Sequence, residues 1–281
     1  MKNQTLKLNY HQAPLPFQGQ KRKFVKLFAE RIKQLPEDTI FVDLFGGSGL
    51  LSRAAKDTKP TCRVIYNDYD DYHLRIANIA NTNKLIAEIR GITGSMPRFQ
   101  RLSSDLKEKI LTVITRHERE VGYVDYITIS SSIMFSSKYV LSLEGLRKES
   151  FYNSVKKQDY DRASDYLDGL EICKRDYMQL FDEFKHNDKV FFICDPPYLS
   201  TDVTTYKMNW TLRDYLRVLN CLRASQFAFF TSEKSSLIEL LEWLEDKFSY
   251  NNPLNKAKEY RIRTTVNGTA GYEDIMLLKI R

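Results

Sequence analysis

The stretch Val190-Phe191-Phe192-Ile193-Cys194-Asp195-Pro196-Pro197-Tyr198 is the part of the chain best suited to chemistry. An unbroken apolar run closes on a carboxylate, two prolines and an aromatic. Neither proline has an N–H, and their fixed φ makes the segment stiff. The Asp195 side chain and the Pro196 carbonyl then present two acceptors in a set geometry, complementary to a planar amino group with two N–H donors. Tyr198 offers a face on which a planar base can stack. The competing reading is a proline-rich turn after a strand.

A second stretch is Asp43-Leu44-Phe45-Gly46-Gly47-Ser48-Gly49. Glycines there allow a tight turn and bring backbone amides close to a ligand. The dinucleotide pattern Gly-x-Gly-x-x-Gly is incomplete, because Leu50 and Ser52 follow, and no Gly-Lys-Ser/Thr is present. The loop therefore speaks for a small ligand held by backbone contacts, and against a phosphate cradle. By itself such a loop is commonly only a turn. Asp68 stands 22 residues beyond Gly46, the separation at which an acidic residue holds ribose hydroxyls. A solvated Asp at a strand end is the alternative.

These residues need elements to position them. Thr39–Phe45, Arg63–Asn67 and Val190–Cys194 are short apolar runs of the kind buried on both faces of a parallel sheet. Further strands are expected at Leu170–Cys173, Gln226–Thr231, Lys258–Val266 and Asp274–Ile280, the last two joined through Asn267-Gly268 and Gly271. Helical spacing appears over residues 20–34, ended by Pro36, and over Leu50–Lys56, Leu74–Ile89, Met178–Phe184, 211–223 and 235–247. The alternation predicts a doubly wound mixed α/β sheet with an antiparallel edge. Residues 91–170 break the pattern with Gly91, Gly94, Pro97, Gly122, Gly145 and the run Ser130-Ser131-Ser132. They read as an insertion, helical near 104–120 and 158–168. The domain division is then 1–90, 91–170 and 171–281.

Composition bounds the rest. The 281 residues carry 43 Lys+Arg against 36 Asp+Glu, with 42% hydrophobic residues, which excludes disorder for the bulk of the chain. The longest clean apolar run, Val190–Cys194, is far short of a membrane span. Met1-Lys2-Asn3-Gln4 opens no signal peptide. A soluble, cytoplasmic protein is expected. Cys62, Cys173, Cys194 and Cys221 stand far apart, and with His11, His73, His117 and His186 they complete no metal set. The net charge of +7 gathers at the two ends, at Lys21-Arg22-Lys23 and around Lys256, Lys258, Arg261 and Arg263. That permits a polyanionic partner without requiring one.

Together with Phe17-Gln18-Gly19-Gln20-Lys21, and in the same order along the chain, these motifs resemble those of the Dam-type S-adenosylmethionine-dependent DNA adenine-N6 methyltransferases. The resemblance covers most of residues 14–200. It implies a methyltransferase-type Rossmann-like core, an inserted target-recognition region, S-adenosylmethionine as cofactor and DNA as partner. It implies that Phe17, Lys21, Asp43, Phe45, Gly46, Gly49, Asp68, Asp176, Tyr177 and Asp195 line the cofactor site. It assigns catalysis to Asp195, Pro196, Pro197 and Tyr198, acting on an adenine flipped out of the duplex. Thr128–Ser137 departs from the family's Asn-Arg-x-x-Phe-Asn-Gly-like stretch, and the insertion's net charge is only +1. Arg98, Arg101, Lys138 and Arg147 are candidate DNA contacts there. Cytosine N4, RNA adenine or a glutamine amide presents the same N–H geometry, and an inactive nucleic-acid-binding homologue is a further alternative. A partner restriction nuclease stays open.

Overall fold

The computed structural model describes residues 7–135, 139–198, 210–267 and 270–281. The expectations for Met1–Gln4, Ser136, Ser137, Lys138 and Gly268 lie outside them. In chain order the elements are α1 (Val25–Ile32), β1 (Ile40–Asp43), α2 (Leu50–Thr58), β2 (Arg63–Asn67), α3 (Tyr72–Ala77), α4 (Ile79–Thr93), α5 (Ser104–Val121), α6 (Tyr126–Ile133) and α7 (Leu143–Lys148). There follow β3 (Glu171–Cys173), α8 (Tyr177–Phe184), β4 (Val190–Cys194), α9 (Leu212–Leu222), β5 (Gln226–Ser232), a 3-10 turn over Glu233–Ser235, α10 (Leu237–Phe248), β6 (Lys258–Asn267) and β7 (Ala270–Lys279). No helix of the described residues is long and apolar enough to cross a membrane.

The chain forms two compact units. The first, Met1–Gln12, Gln20–Asp70 and Leu167–Arg281, holds one seven-stranded sheet in the order β3-β2-β1-β4-β5-β7-β6. β3, β2, β1, β4 and β5 are mutually parallel, and β7 runs antiparallel to both β5 and β6. The antiparallel strand is therefore one place in from the edge, which β6 occupies. Successive side chains on a strand point to opposite faces, and both faces of this sheet are covered. Val42, Phe192, Phe229 and Leu277 pack with α8, α9 and α10 on one side. Phe41, Phe191, Ile193, Phe230 and Met276 pack with α1 and α2 on the other. Burial on both faces explains why β4 reads as a continuous apolar run rather than an alternation.

The second unit, Ala13–Gly19 and Asp71–Tyr166, is mainly helical. Its longer segment begins at Asp71, so the Leu74–Ile89 helix expected in the core belongs to it. That helix is in fact two, broken at Asn78, whose φ of −99° and ψ of 12° leave the helical region. Asn78 Nδ2 donates to the Leu74 carbonyl at 2.9 Å, a local bond that competes with helical pairing. The Ser130-Ser131-Ser132 run is helical rather than an interruption. Asp125 caps α6, accepting from Thr128 N and Oγ1. The three serine hydroxyls donate back to the carbonyls of Ile127 and Thr128. The helix expected at 158–168 is absent. Asn83 takes both backbone groups of Tyr160, accepting from its N–H at 2.9 Å and donating to its carbonyl at 2.8 Å. A buried ion pair, Arg75 Nε to Asp125 Oδ2 at 3.0 Å, anchors this unit.

Candidate active site

The parallel strands β1, β2 and β4 end side by side, and the candidate site residues Asp43, Asp68 and Asp195 stand at or just beyond their carboxyl ends. β1 terminates in Asp43, which is 1% exposed. Ser52 Oγ from α2 donates to its Oδ2 at 2.6 Å, while the buried Oδ1 has no hydrogen-bond partner among the described residues. Burial pushes its pKa up to about 7 against the Ser52 hydrogen bond, and the Asp195 charge adds to the rise. The glycine loop turns at once: Gly49 N donates to the Gly46 carbonyl at 2.7 Å, and Gly49 opens α2 at φ +72°. Gly46 has no room for a side chain, since a Cβ there would lie 2.3 Å from the Tyr66 ring. Tyr66 secures the loop by donating from its hydroxyl to the Gly47 carbonyl at 2.7 Å.

Asp68 follows β2, is 1% exposed, and its N–H bonds to the Cys173 carbonyl at 2.8 Å. Beside it, Asn67 Nδ2 donates to the carbonyls of Leu44 and Arg175, and its Oδ1 accepts from Arg175 N. Asn67 thus pins the ends of β1 and β3 together.

Asp195 follows β4 directly, and its partner Lys21 stands beside Phe230 on the face of the sheet covered by α1 and α2. Lys21 precedes α1, and its carbonyl accepts from Phe24 N and Val25 N, so the helix's first turn fixes it. Its Nζ is 2.7 Å from Asp195 Oδ2, with side-chain exposures of 7% and 19%. The same ammonium stands 5.1 Å from the centre of the Tyr198 ring and 6.0 Å from that of Phe230. Burial raises the Asp195 pKa, Lys21 pulls it back, and Asp274 pushes it up. The Tyr198 hydroxyl is held well above its ordinary pKa by burial, is packed away from solvent, and has no hydrogen-bond partner among the described residues.

An aromatic wall adjoins β1 and α8. Phe45 and Tyr177 have ring centroids 5.0 Å apart, and Trp210 meets them at 5.4 and 5.7 Å. The Tyr177 hydroxyl and Trp210 Nε1 are buried without partners among the described residues. Asp176 caps α8, its Oδ1 accepting from Met178 N and Gln179 N.

The structure thus gathers Lys21, Asp43, Phe45, Gly46, Gly49, Asp68, Asp176, Tyr177 and Asp195 through Tyr198 in one unit. Phe17 falls in the other, with its ring edge-on to Tyr72 at 5.8 Å. Sequence reasoning missed Ser52, Tyr66, Asn67, Trp210 and Asp274. Trp210, one of only two tryptophans, is the one that composition could have flagged. Nothing local marks the others. Lys21, expected with the cofactor, is found on the Asp195 carboxylate. Of the candidate DNA contacts, Arg98 stands 5.0 Å from the Phe99 ring centre and Arg101 donates to Ser150 Oγ.

A doubly wound sheet with carboxylates at its first two strand ends, a glycine turn between them and a stiff Asp-Pro-Pro-Tyr lip defines a Rossmann-like methyltransferase core. The profile of the D12 class N6 adenine-specific DNA methyltransferases matches residues 17–258, and the chain belongs to that family. It transfers a methyl group from S-adenosylmethionine to adenine N6 in DNA. A Haemophilus influenzae protein named "Putative methyltransferase" is 37% identical over 281 residues, spanning 97% of this chain and 94% of its own length. A precorrin-6y C5,15-methyltransferase from Geobacter metallireducens is similar at 9% identity and a TM-score of 0.38, over 95% of this chain and 94% of that one. At that level the likeness carries no argument.

Proposed function

We propose that the end of β4 is where the target adenine is held, and that the ends of β1 and β2 hold S-adenosylmethionine. The donor set fits that cationic ligand. Asp43 keeps one buried carboxylate oxygen unpartnered among the described residues, Asp68 suits ribose hydroxyls, and Phe45, Tyr177 and Trp210 suit a planar base. Bound there, S-adenosylmethionine supplies a methyl group made electrophilic by its sulfonium.

The adenine N6 lone pair is delocalised into the ring, so the enzyme's work falls on the amine. Asp195 and the Pro196 carbonyl accept its two N–H bonds, favouring a pyramidal nitrogen with its lone pair free. Held this way, N6 would be aimed at the methyl donor, and accepting the methyl group would place positive charge on the nitrogen. The nitrogen, now positive, is stabilised by the fixed Asp195 carboxylate. It then loses one proton by way of Asp195, whose side chain is partly open to solvent. A carboxylate is too weak a base to remove that proton beforehand. Within a duplex the amino group is paired, so the base flips out and stacks on Tyr198.

The observation that carries this reading is the Lys21–Asp195 pair. It sets an ammonium that favours the charged form against a largely buried carboxylate, beside the aromatic face of the lip. Asp195→Asn should bind S-adenosylmethionine yet transfer no labelled methyl to DNA. Transfer at the wild-type rate would remove Asp195 from the mechanism. Substrate carrying 2-aminopurine at the target position should brighten on binding, and unchanged fluorescence would argue against flipping.

A further inference from the structure

Asp195 is not the only carboxylate at this end of the sheet. Asp274 lies on β7 opposite Ser232 of β5 and Ile262 of β6. It is two residues from Met276, which packs on the α1 and α2 face with Phe230 and Ile193. Alternation therefore puts Asp274 on the face that Asp195 and Lys21 share. Its carboxylate is oriented from the far side. Thr264 Oγ1 donates to Asp274 Oδ2 at 2.9 Å, and Lys23 Nζ donates to Thr264 Oγ1 at 3.4 Å and to the Arg263 carbonyl at 3.0 Å. Lys21 and Lys23, two residues apart, thus reach toward one carboxylate each, Lys21 directly to Asp195 and Lys23 through Thr264 to Asp274.

Charge accounting shows what a second carboxylate does here. Lys21 cancels the Asp195 charge, so the pair alone meets a cation poorly. We propose that Asp274 is a positioning residue of methyl transfer, a second negative charge that offsets Lys21 and leaves the site net negative as positive charge arrives on N6. The proposal rests on the Asp195 reading above. The groups facing Asp195 are Lys21, Asp43 at the end of β1, Asp274 on β7 and Tyr198 in its own loop. Around Tyr198 stand Tyr215 of α9 and Tyr272 of β7, and Lys234 sits 4.5 Å from the Tyr272 ring centre. The Asp274 charge acts on Asp195, Tyr198 and Tyr272 alike.

The test is Asp274→Asn against Asp274→Glu, in full-length protein saturated with S-adenosylmethionine and DNA. Two strand spacings separate β7 from β4, so the charge acts across roughly 10 Å. At an effective dielectric of about 20 its loss should lower kcat by roughly tenfold. Asp274→Asn should leave the Kd for S-adenosylmethionine unchanged and move the acid limb of the rate profile to lower pH, because a like charge on Asp195 is gone. Asp274→Glu should restore most of the rate. Wild-type kcat with an unmoved acid limb in Asp274→Asn would overturn the proposal. So would a loss of rate that Asp274→Glu shares in full, which marks a purely structural residue. Asp195→Asn is run alongside: if it stays active, the underlying reading fails, whereas its inactivity beside a fully active Asp274→Asn sinks the present inference alone.

Discussion

Replacing Lys21 with Met keeps the length of the side chain and removes the ammonium 2.7 Å from Asp195 Oδ2. At that distance and an effective dielectric of about 20, the direct attraction is about 6 kcal/mol, part of which offsets desolvation. Removing one partner of such a buried pair typically costs about 3–5 kcal/mol. Asp195 limits the cost by taking up a proton, so the loss appears as a raised pKa, about one pH step for each ~1.4 kcal/mol. Lys21 favours the charged carboxylate and burial opposes it. Its removal therefore moves the acid limb of methyl transfer to higher pH. The variant is then slower than the wild type on the acid side, and raising the pH restores much of its rate. Stability carries the same signature. An Asp whose folded pKa exceeds its unfolded value loses stability as pH rises from about 4 to the folded pKa. The variant's deficit in urea denaturation should accordingly be small at pH 5 and larger at pH 8. The assay is single-turnover transfer of labelled methyl to DNA over that range. An acid limb in Lys21→Met that coincides with the wild type's, or a defect lying wholly in S-adenosylmethionine affinity, would refute the reasoning.

Three further outcomes are expected. Asp43, with a pKa of about 7 in the free protein, should ionise fully when a cationic ligand binds beside it. Titration calorimetry near pH 7, in buffers of different ionisation enthalpy, should show release of roughly half a proton; zero release would exclude Asp43 from the cofactor site. Gly46→Ala puts a Cβ 2.3 Å from Tyr66 ring carbons and 2.9 Å from the Asn67 carbonyl. It should cost about 1–3 kcal/mol, read as a fall in Tm together with weaker S-adenosylmethionine binding, and an unchanged Tm would refute the packing argument. In the second unit, Arg75→Met strands the buried Asp125 and frees the Pro16 carbonyl and Thr128 Oγ1. A loss of about 3–5 kcal/mol is expected in chemical denaturation, and Asp125→Asn in the same chain should recover part of it.

Much of the core was legible because its signals are local. β2 and β4 are found where their apolar runs stand, Arg63–Asn67 and Val190–Cys194, since a strand covered on both faces must be apolar throughout. The second unit read less well. Its helix starts and breaks are set by side chains that capture backbone groups, as Asn78, Asn83 and Asp125 do. Those partnerships look like loop composition until the partner is known. For Asn83 the partner lies 77 residues away.

The chain's own order of residues determined the strand ends, the glycine turn at Gly46 and the stiff lip from Asp195 to Tyr198, because φ restrictions at glycine and proline and burial of apolar runs act within a few residues. It did not determine which strand ends become neighbours. The order β3-β2-β1-β4-β5-β7-β6 sets Asp43, Asp195 and Asp274 on one face and swings Lys21 onto Asp195, from 174 positions earlier in the chain. Coulomb forces depend on distance in space and on the water excluded around the charges. Only packing supplies either quantity.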